Sequence, residues 1–336
     1  MAPQKRKSLI TSAEEILDSV SAFQRSRIIL TAFELNIFTM LGSDSLPAEE
    51  IGRRIGAAPR STERLLNALC SMGLLKKRKG LFSNTAVSSR FMVKGSVEYL
   101  SRIGHLLNLY RTWGTLTDAV RAGRSVTARE YDEASLEYFI EAMHQRAQTS
   151  AAALVARIDL SGVKKILDVG GGSGVYSMAF ARAKSGLQAV VFDMPSVIKL
   201  TKKYIAGSGL SGRVKTVKGN YNTKDFSRGY DLVFMSAIIH INSPDENQAL
   251  INKAYACLNP GGRIVIQDHI MEEDRTAPAR GTFFSLNMLV NTPAGDTYTE
   301  NEMRTWLANA GCTNIKRIAT GMDNDLMVGK RGASSD

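Results

Sequence analysis

The segment Lys165-Ile-Leu-Asp-Val-Gly-Gly-Gly-Ser-Gly174 constrains the fold of this chain more than any other. An apolar run leads straight into a glycine turn, and Val175 to Arg182 then reads as the start of a helix. Such a strand–turn–helix unit lets backbone amides and the positive end of a helix come close to a ligand. The glycine spacing limits which ligand. A dinucleotide fingerprint requires G-x-G-x-x-G, whereas Gly170, Gly172 and Gly174 follow G-x-G-x-G behind Asp168. No pyrophosphate cradle is implied. A tight turn with no ligand is the plainer alternative.

A second signal lies one strand downstream. Ala189-Val-Val-Phe192 is a short apolar run ending at Asp193, followed by Met194 and Pro195. An acid about 20 residues beyond the glycines, at a strand tip, stands where a ribose diol is gripped. One carboxylate accepts from both hydroxyls and so fixes the sugar.

The rest of the carboxy-terminal half alternates in the same way. Arg213–Val217, Tyr230–Met235 and Gly262–Gln267 are parallel-strand candidates, with helices at Asp245–Leu258 and Glu300–Ala310. Asn259-Pro-Gly-Gly262 reads as a turn, and Ile315–Ala319 with Asp325–Val328 as a closing hairpin. The class is α/β, a mostly parallel doubly wound sheet with an antiparallel carboxy-terminal hairpin and ligands at the carboxyl ends of its strands. Those ends carry Gly219-Asn220-Tyr221, then Ser236 and His240, then Asp268-His269. An amide and a ring at Asn220 and Tyr221 suit an adenine. His240 and Asp268 leave strands expected to be neighbours, so the carboxylate can orient the imidazole.

The first hundred residues are organised differently. An amphipathic pattern starts at Ile16–Val20 and Phe23 and continues through Ile28–Leu41, which is apolar on more than one face and reads as deeply buried. Pro47–Ile55 is a short helix. Ser61 is placed to cap another, whose Leu65, Leu66, Leu69 and Met72 fall at helical spacing before Gly73. Leu74–Ser83 reads as a β-hairpin. Helix, turn, helix, hairpin is a winged-helix pattern, which serves either as a DNA reader or as a dimerisation module. The surplus apolar surface of Ile28–Leu41 favours the dimer, and leaves Lys76-Lys-Arg-Lys79 as a solvated hairpin tip. Val97 to Ile158 is again helical, with Tyr110, Trp113, Tyr131, Tyr138, Phe139 and Met143 as core or pocket residues. The divisions implied are 1–100, a helical connector over 101–160 that roofs the site, and 161–336.

Composition excludes several classes. With 336 residues, 44% hydrophobic and 22% charged, the chain is long enough for two folded domains and is not a disordered one. The net charge of +11 is spread evenly, with 22 Lys+Arg against 16 Asp+Glu before residue 161 and 21 against 16 after it. That is a weak footprint for nucleic acid, which is not expected as a partner. No apolar run approaches a membrane span, and Met-Ala-Pro-Gln-Lys-Arg-Lys7 lacks the apolar stretch of a secretory signal. Cys70, Cys257 and Cys312 are scattered and odd in number, which suggests a reducing, cytoplasmic setting and no zinc site.

Taken together, Asp168-Val-Gly-Gly-Gly-Ser-Gly174, Phe192-Asp-Met-Pro195, the His240 segment, Leu258-Asn-Pro-Gly-Gly262 and Tyr298-Thr299 resemble the S-adenosylmethionine (SAM)-dependent O-methyltransferases that include plant caffeate-type, hydroxyindole and bacterial small-molecule enzymes. The resemblance runs from about Ile16 to Lys330. It implies a Rossmann-like SAM domain behind an all-α, winged-helix dimerisation domain, an obligate homodimer, a small-molecule acceptor, no metal, and S-adenosylhomocysteine (SAH) as product. It implies cofactor contacts at Asp168, Gly170, Gly172, Asp193, Met194, Asn220, Tyr221 and Ser236, with Arg146 on the methionine carboxylate. It implies His240 as general base with Asp268 beside it, and a substrate pocket of Phe139, Met143, Phe284, Asn287 and Met288.

The departures are specific. Plant members have His-Asp-Trp where this chain has His240-Ile241-Asn242, and Gly-Asp-Phe where it has Gly219-Asn220-Tyr221. A family Lys falls on Ser236, and a flanking Glu falls near Thr297. These changes keep two alternatives open: a non-methylating SAM-dependent enzyme on the same scaffold, and a winged-helix regulator that senses SAM.

Overall fold

The computed structural model describes residues 10–127 and 133–333, so Tyr131 lies outside the described residues. The chain divides into two units, one ending at Leu107 and one beginning at Asn108.

The first unit opens with α1 (Ala13–Ser21), whose amino end is capped by Ser12 accepting from the Glu15 amide. Next come α2 (Phe23–Glu34) and α3 (Ile37–Leu41). The single buried stretch expected over Ile28–Leu41 is therefore two helices, broken where Asn36 takes a left-handed φ of 54°. Only Leu30, Ala32, Ile37, Phe38 and Leu41 of it are buried. The exposed apolar surface lies earlier, at Ile16, Leu17, Val20 and Phe23, each at least half exposed. A two-residue strand, β1 (Leu46–Pro47), precedes α4 (Ala48–Ile55) and α5 (Pro59–Ser71). Gly52 lets these two helices approach, since a Cβ there would lie 2.9 Å from the Ala57 carbonyl. Ser61 does not cap α5. Pro59 stands in the first turn, where its missing N–H costs nothing, and the Ser61 hydroxyl donates to the Ala58 carbonyl instead.

The hairpin β2 (Leu75–Arg78) and β3 (Leu81–Asn84) turns through Lys79 and Gly80, both at positive φ as a two-residue hairpin requires. β1 adds a third strand against β3, which the sequence did not announce. The hairpin tip is exposed, as expected of a solvated basic run. Asn84 is buried and donates to the Phe38 and Gly42 carbonyls, tying the sheet to the end of α3. α6 (Ala86–Phe91) follows, and α7 (Arg102–Trp113) crosses the division.

The second unit holds α8 (Leu116–Ala122), α9 (Glu133–Gln148) and α10 (Ala151–Val155) before its sheet begins. Strand and helix then alternate through β4 (Lys165–Val169), α11 (Val175–Ala183), β5 (Gln188–Asp193), α12 (Pro195–Gly207), β6 (Val214–Lys218) and β7 (Tyr230–Ser236). A 3-10 turn, Ile239–Ile241, leads into α13 (Pro244–Cys257) and β8 (Leu258–Asp268). β9 (Ile270–Met271), α14 (Ala279–Asn291), β10 (Tyr298–Thr299), α15 (Glu300–Asn309), β11 (Thr313–Ile318) and β12 (Asp325–Lys330) complete it.

The main sheet runs β11-β12-β8-β7-β4-β5-β6, parallel from β8 to β6. β12 is antiparallel to both β8 and β11, which is the expected closing hairpin. The Asn259–Gly262 turn is absorbed into the start of β8 as a register shift opposite Tyr230 and Leu232. β4 sits at the reversal of strand order, where α/β sheets bind ligands. Below it the core is aromatic, with the Phe234 ring edge-on to Tyr176 and Phe180 at 5.2 Å each. Each such pair contributes about 0.5–1.5 kcal/mol beyond the area it buries.

Candidate active site

The glycine turn adopts the backbone its sequence demands. Gly170, Gly172 and Gly174 have φ of 64°, 56° and 76°. A side chain at Gly170 would collide with Ile238, whereas the Cβ position of Gly172 meets nothing nearer than Ile140 at 3.9 Å. Gly172 thus leaves open space above the end of β4. The turn is pinned from the next strand: Gly170 N donates to the Phe192 carbonyl and Gly172 N donates to Asp193 Oδ2, both at 2.8 Å. Thr201 on α12 donates to the Gly172 carbonyl at 2.6 Å.

Asp168 sits beneath this turn. It is fully buried, its Oδ2 accepts from Ser177 Oγ at 2.7 Å, and its Oδ1 has no partner among the described residues. Burial, and then the neighbouring Asp193 charge, push its pKa up to about 7, with the Ser177 hydrogen bond opposing. Its Oδ2 ties the strand end beneath the turn to α11 through Ser177.

Asp193 is half-buried at the tip of β5. Burial raises its pKa, and the Gly172 and Met194 amides work against that shift. Met194 is 43% exposed and opens α12. Asn220 is exposed, and Tyr221 is half-buried with its ring close to Gly170. Ser236 donates to Gln267 Oε1 at 2.7 Å, linking β7 to β8. A glycine turn open at Gly172, a carboxylate behind it and an exposed thioether beside it suit an adenosyl group.

The next two strand ends meet as expected. His240 Nδ1 lies 2.8 Å from Asp268 Oδ1 and 3.0 Å from Oδ2, with both residues buried. A carboxylate accepts only, so Nδ1 carries the proton and the Nε2 lone pair remains for chemistry. Phe284 stands edge-on to His240 at 4.8 Å and tilted over His269 at 4.7 Å. His269 is buried with no partner for its Nδ1 among the described residues, and burial brings its pKa down to about 4, so that ring stays neutral. His144 is occupied elsewhere, bonded to Ser173 Oγ and stacked on Tyr204.

The other pocket candidates divide. Met288 is buried within α14, and Asn287 Oδ1 accepts from Trp113 Nε1 at 2.9 Å. Phe139 packs on the cluster of Ile140, Val197 and Leu200, and Met143 is half-buried on α9. Arg146 has its pKa lowered by its surroundings first and then by Arg280, with Asp323 and Asp268 opposing. Arg280 itself pairs with Asp323. Sequence reasoning passed over Ser177, Thr201, Arg280 and Asn247. Ser177 and Thr201 look like ordinary helix residues in sequence, and only packing turns their hydroxyls toward the glycine turn.

Comparison with known proteins identifies relatives of the whole chain. Residues 113–313 match the model of an O-methyltransferase domain, and residues 17–94 match an O-methyltransferase dimerisation domain. A 3-hydroxy-5-methyl-1-naphthoate 3-O-methyltransferase of Streptomyces sahachiroi is 30% identical over 325 residues, 94% of each chain. The structure of PigF with SAH superposes with a TM-score of 0.86 at 26% identity, covering 96% of this chain and all of the other. Human N-acetylserotonin methyltransferase in complex with SAM does so with a TM-score of 0.78 at 25% identity, covering 97% and 99%. With both of its parts matched and its strand ends built as described, the chain belongs to the O-methyltransferase family.

Proposed function

We propose that this protein methylates a hydroxyl of a small aromatic or polyketide-like acceptor, using SAM as donor and His240 as general base. The observation that carries the reading is the buried His240–Asp268 pair at the strand ends beside the glycine turn. SAM, when bound, supplies an electrophilic methyl group on a sulfonium. Gly170, Gly172 and Asp193 would hold its adenosyl part, with Met194, Asn220, Tyr221 and Ser236 around it and Arg146 toward the methionine carboxylate. Phe139, Met143, Phe284, Asn287 and Met288 would line the acceptor side.

His240 has a definite task. A phenol has a pKa near 10, so only about one in a thousand is ionised at pH 7, a deficit of roughly 4 kcal/mol. Nε2 takes that proton as the oxygen attacks, and Asp268 stabilises the imidazolium that forms. Holding donor and acceptor in line supplies the rest.

The same proposal includes a homodimer built on a winged-helix amino-terminal unit, whose exposed Ile16, Leu17, Val20 and Phe23 give a partner subunit an apolar face. A reducing, cytoplasmic setting fits three free cysteines, two of them buried. Among the described residues no helix is long and apolar enough to cross a membrane. Incubating the purified protein with SAM and a panel of phenols, quinols and naphthols, and reading by mass the gain of one CH2 at oxygen, tests the activity. No methylated product and no SAH binding would overturn it.

A further inference from the structure

A directed chain of hydrogen bonds runs from the cofactor side of the sheet to the turn that carries His240. Tyr221 Oη donates to Asn242 Oδ1 (3.3 Å), Asn242 Nδ2 donates to Asn247 Oδ1 (3.1 Å), and Asn247 Nδ2 donates to the main-chain carbonyl of Ile239 (2.9 Å). All three bonds point the same way, so each amide polarises the next. Asn242 and Asn247 are 2% and 0% exposed, which leaves bulk water no place in the chain. The first donor is secure, because burial pushes the Tyr221 hydroxyl pKa up to about 12.

The turn has few other ways to settle. It is entered through Ala237 at a left-handed φ of 57°. Tyr298 Oη donates to the Asn242 carbonyl. A Cβ at Gly295 would lie 2.3 Å from the His240 carbonyl, so the backbone there presses directly on the turn. Asp268 fixes the direction of the imidazole, whereas these contacts fix the height of the turn from which it projects.

We infer that Asn242 is a positioning residue for His240, passing the place of the Tyr221 hydroxyl through Asn247 to the turn that holds the base. Its consequence for turnover rests on the reading of His240 given above; its structural content does not.

The chain has four histidines, so its imidazole NMR spectrum is simple, and His240→Gln identifies the His240 signal by its loss. In the full-length protein without cofactor, Tyr221→Phe and Asn242→Leu should each move that signal and leave those of His105 and His144 in place. Tyr221→Phe keeps the ring and removes only the hydroxyl, which guards against a folding defect in the second variant. In turnover, Tyr221→Phe should lower kcat about 3- to 10-fold at pH 7, the size of one hydrogen bond, with SAH affinity within about twofold of wild type. The loss should shrink as pH rises toward about 10, where a phenol ionises unaided. The double variant should be no worse than Asn242→Leu alone. An unmoved His240 signal, additive losses or a pH-independent loss would overturn the inference. A protein that neither binds SAH nor methylates, yet shows the shared NMR shift, would overturn the enzyme reading and leave the positioning chain standing.

Discussion

His240 Nδ1 lies 2.8 Å from Asp268 Oδ1, and the same oxygen accepts the amide of His269 at 2.8 Å. The carboxylate is thereby fixed by the backbone before it fixes the imidazole. β7 and β8 are neighbours in parallel register, with Ser236 opposite Gln267, so both side chains emerge from adjacent strand ends. Residues 28 apart in sequence form one buried hydrogen-bonded unit.

His240→Ala should cut turnover about 10²- to 10⁴-fold while leaving SAH affinity nearly unchanged, the range for loss of a general base. Asp268→Asn should show a milder form of the same loss. Rate measurements from neutral pH upward check the cause, because a lost base matters less as the acceptor ionises by itself. If both variants turn over like wild type near pH 7, His240 is structural and His144 and His269 are the next to test.

Asp193→Ala should weaken SAM binding by about 1.5–3 kcal/mol, the cost of losing a hydrogen-bonded charge. Part of that loss is indirect, since Asp193 also holds the Gly172 amide. Titration calorimetry with SAM reads it directly. Unchanged affinity would remove Asp193 from the ribose site, and tight NAD binding would remove SAM from the protein.

Asp168 makes a prediction about stability. Its pKa is raised from 3.8 to about 7 in the folded protein, so between those values the native state holds a proton that the unfolded chain releases. Its contribution therefore worsens as pH rises through that window, and above it a buried charge persists. Asp168→Asn imitates the protonated acid. Its melting temperature relative to wild type should rise by a few degrees, on the order of 2–5 °C, from pH 5 to pH 8, as thermal melts across that range will show. A constant difference would mean that the carboxyl stays in one charge state throughout.

Leu17 projects from α1 with 68% of its surface exposed, among Ile16, Val20 and Phe23. Light scattering of the wild type should give twice the 36.7 kDa chain mass. Leu17→Glu should shift that population toward monomer, because a charge would have to be buried in an apolar interface. A wild-type monomer with salt-sensitive binding to duplex DNA would favour a regulator instead.

Much of this molecule is legible in local chemistry. The glycine turn is readable because left-handed φ values of 56° to 76° at three alternate positions favour residues without a Cβ. The alternation of apolar runs with helical patterns marked β4 to β8 as strands, and the offset of Asp193 placed it behind the turn. Local reading failed where two patterns share residues. Ile28–Leu41 is apolar throughout, yet Asn36 breaks it, and Ser61 has the chemistry of a cap but lies after a proline that already begins the helix.

What the sequence by itself determined is the set of strand ends and the residue types on them. What only the tertiary structure decided is which of those groups are buried and what each is bonded to. Asp168 belongs to the most recognisable motif in the chain and is buried beneath it, held by Ser177. Asn242 stands beside His240 in sequence but turns inward, to Asn247 and Tyr221. The reason is physical. Composition and spacing state which hydrogen bonds a side chain is able to make, whereas burial decides which it must make, because an unpaired polar group away from water costs about 1–3 kcal/mol.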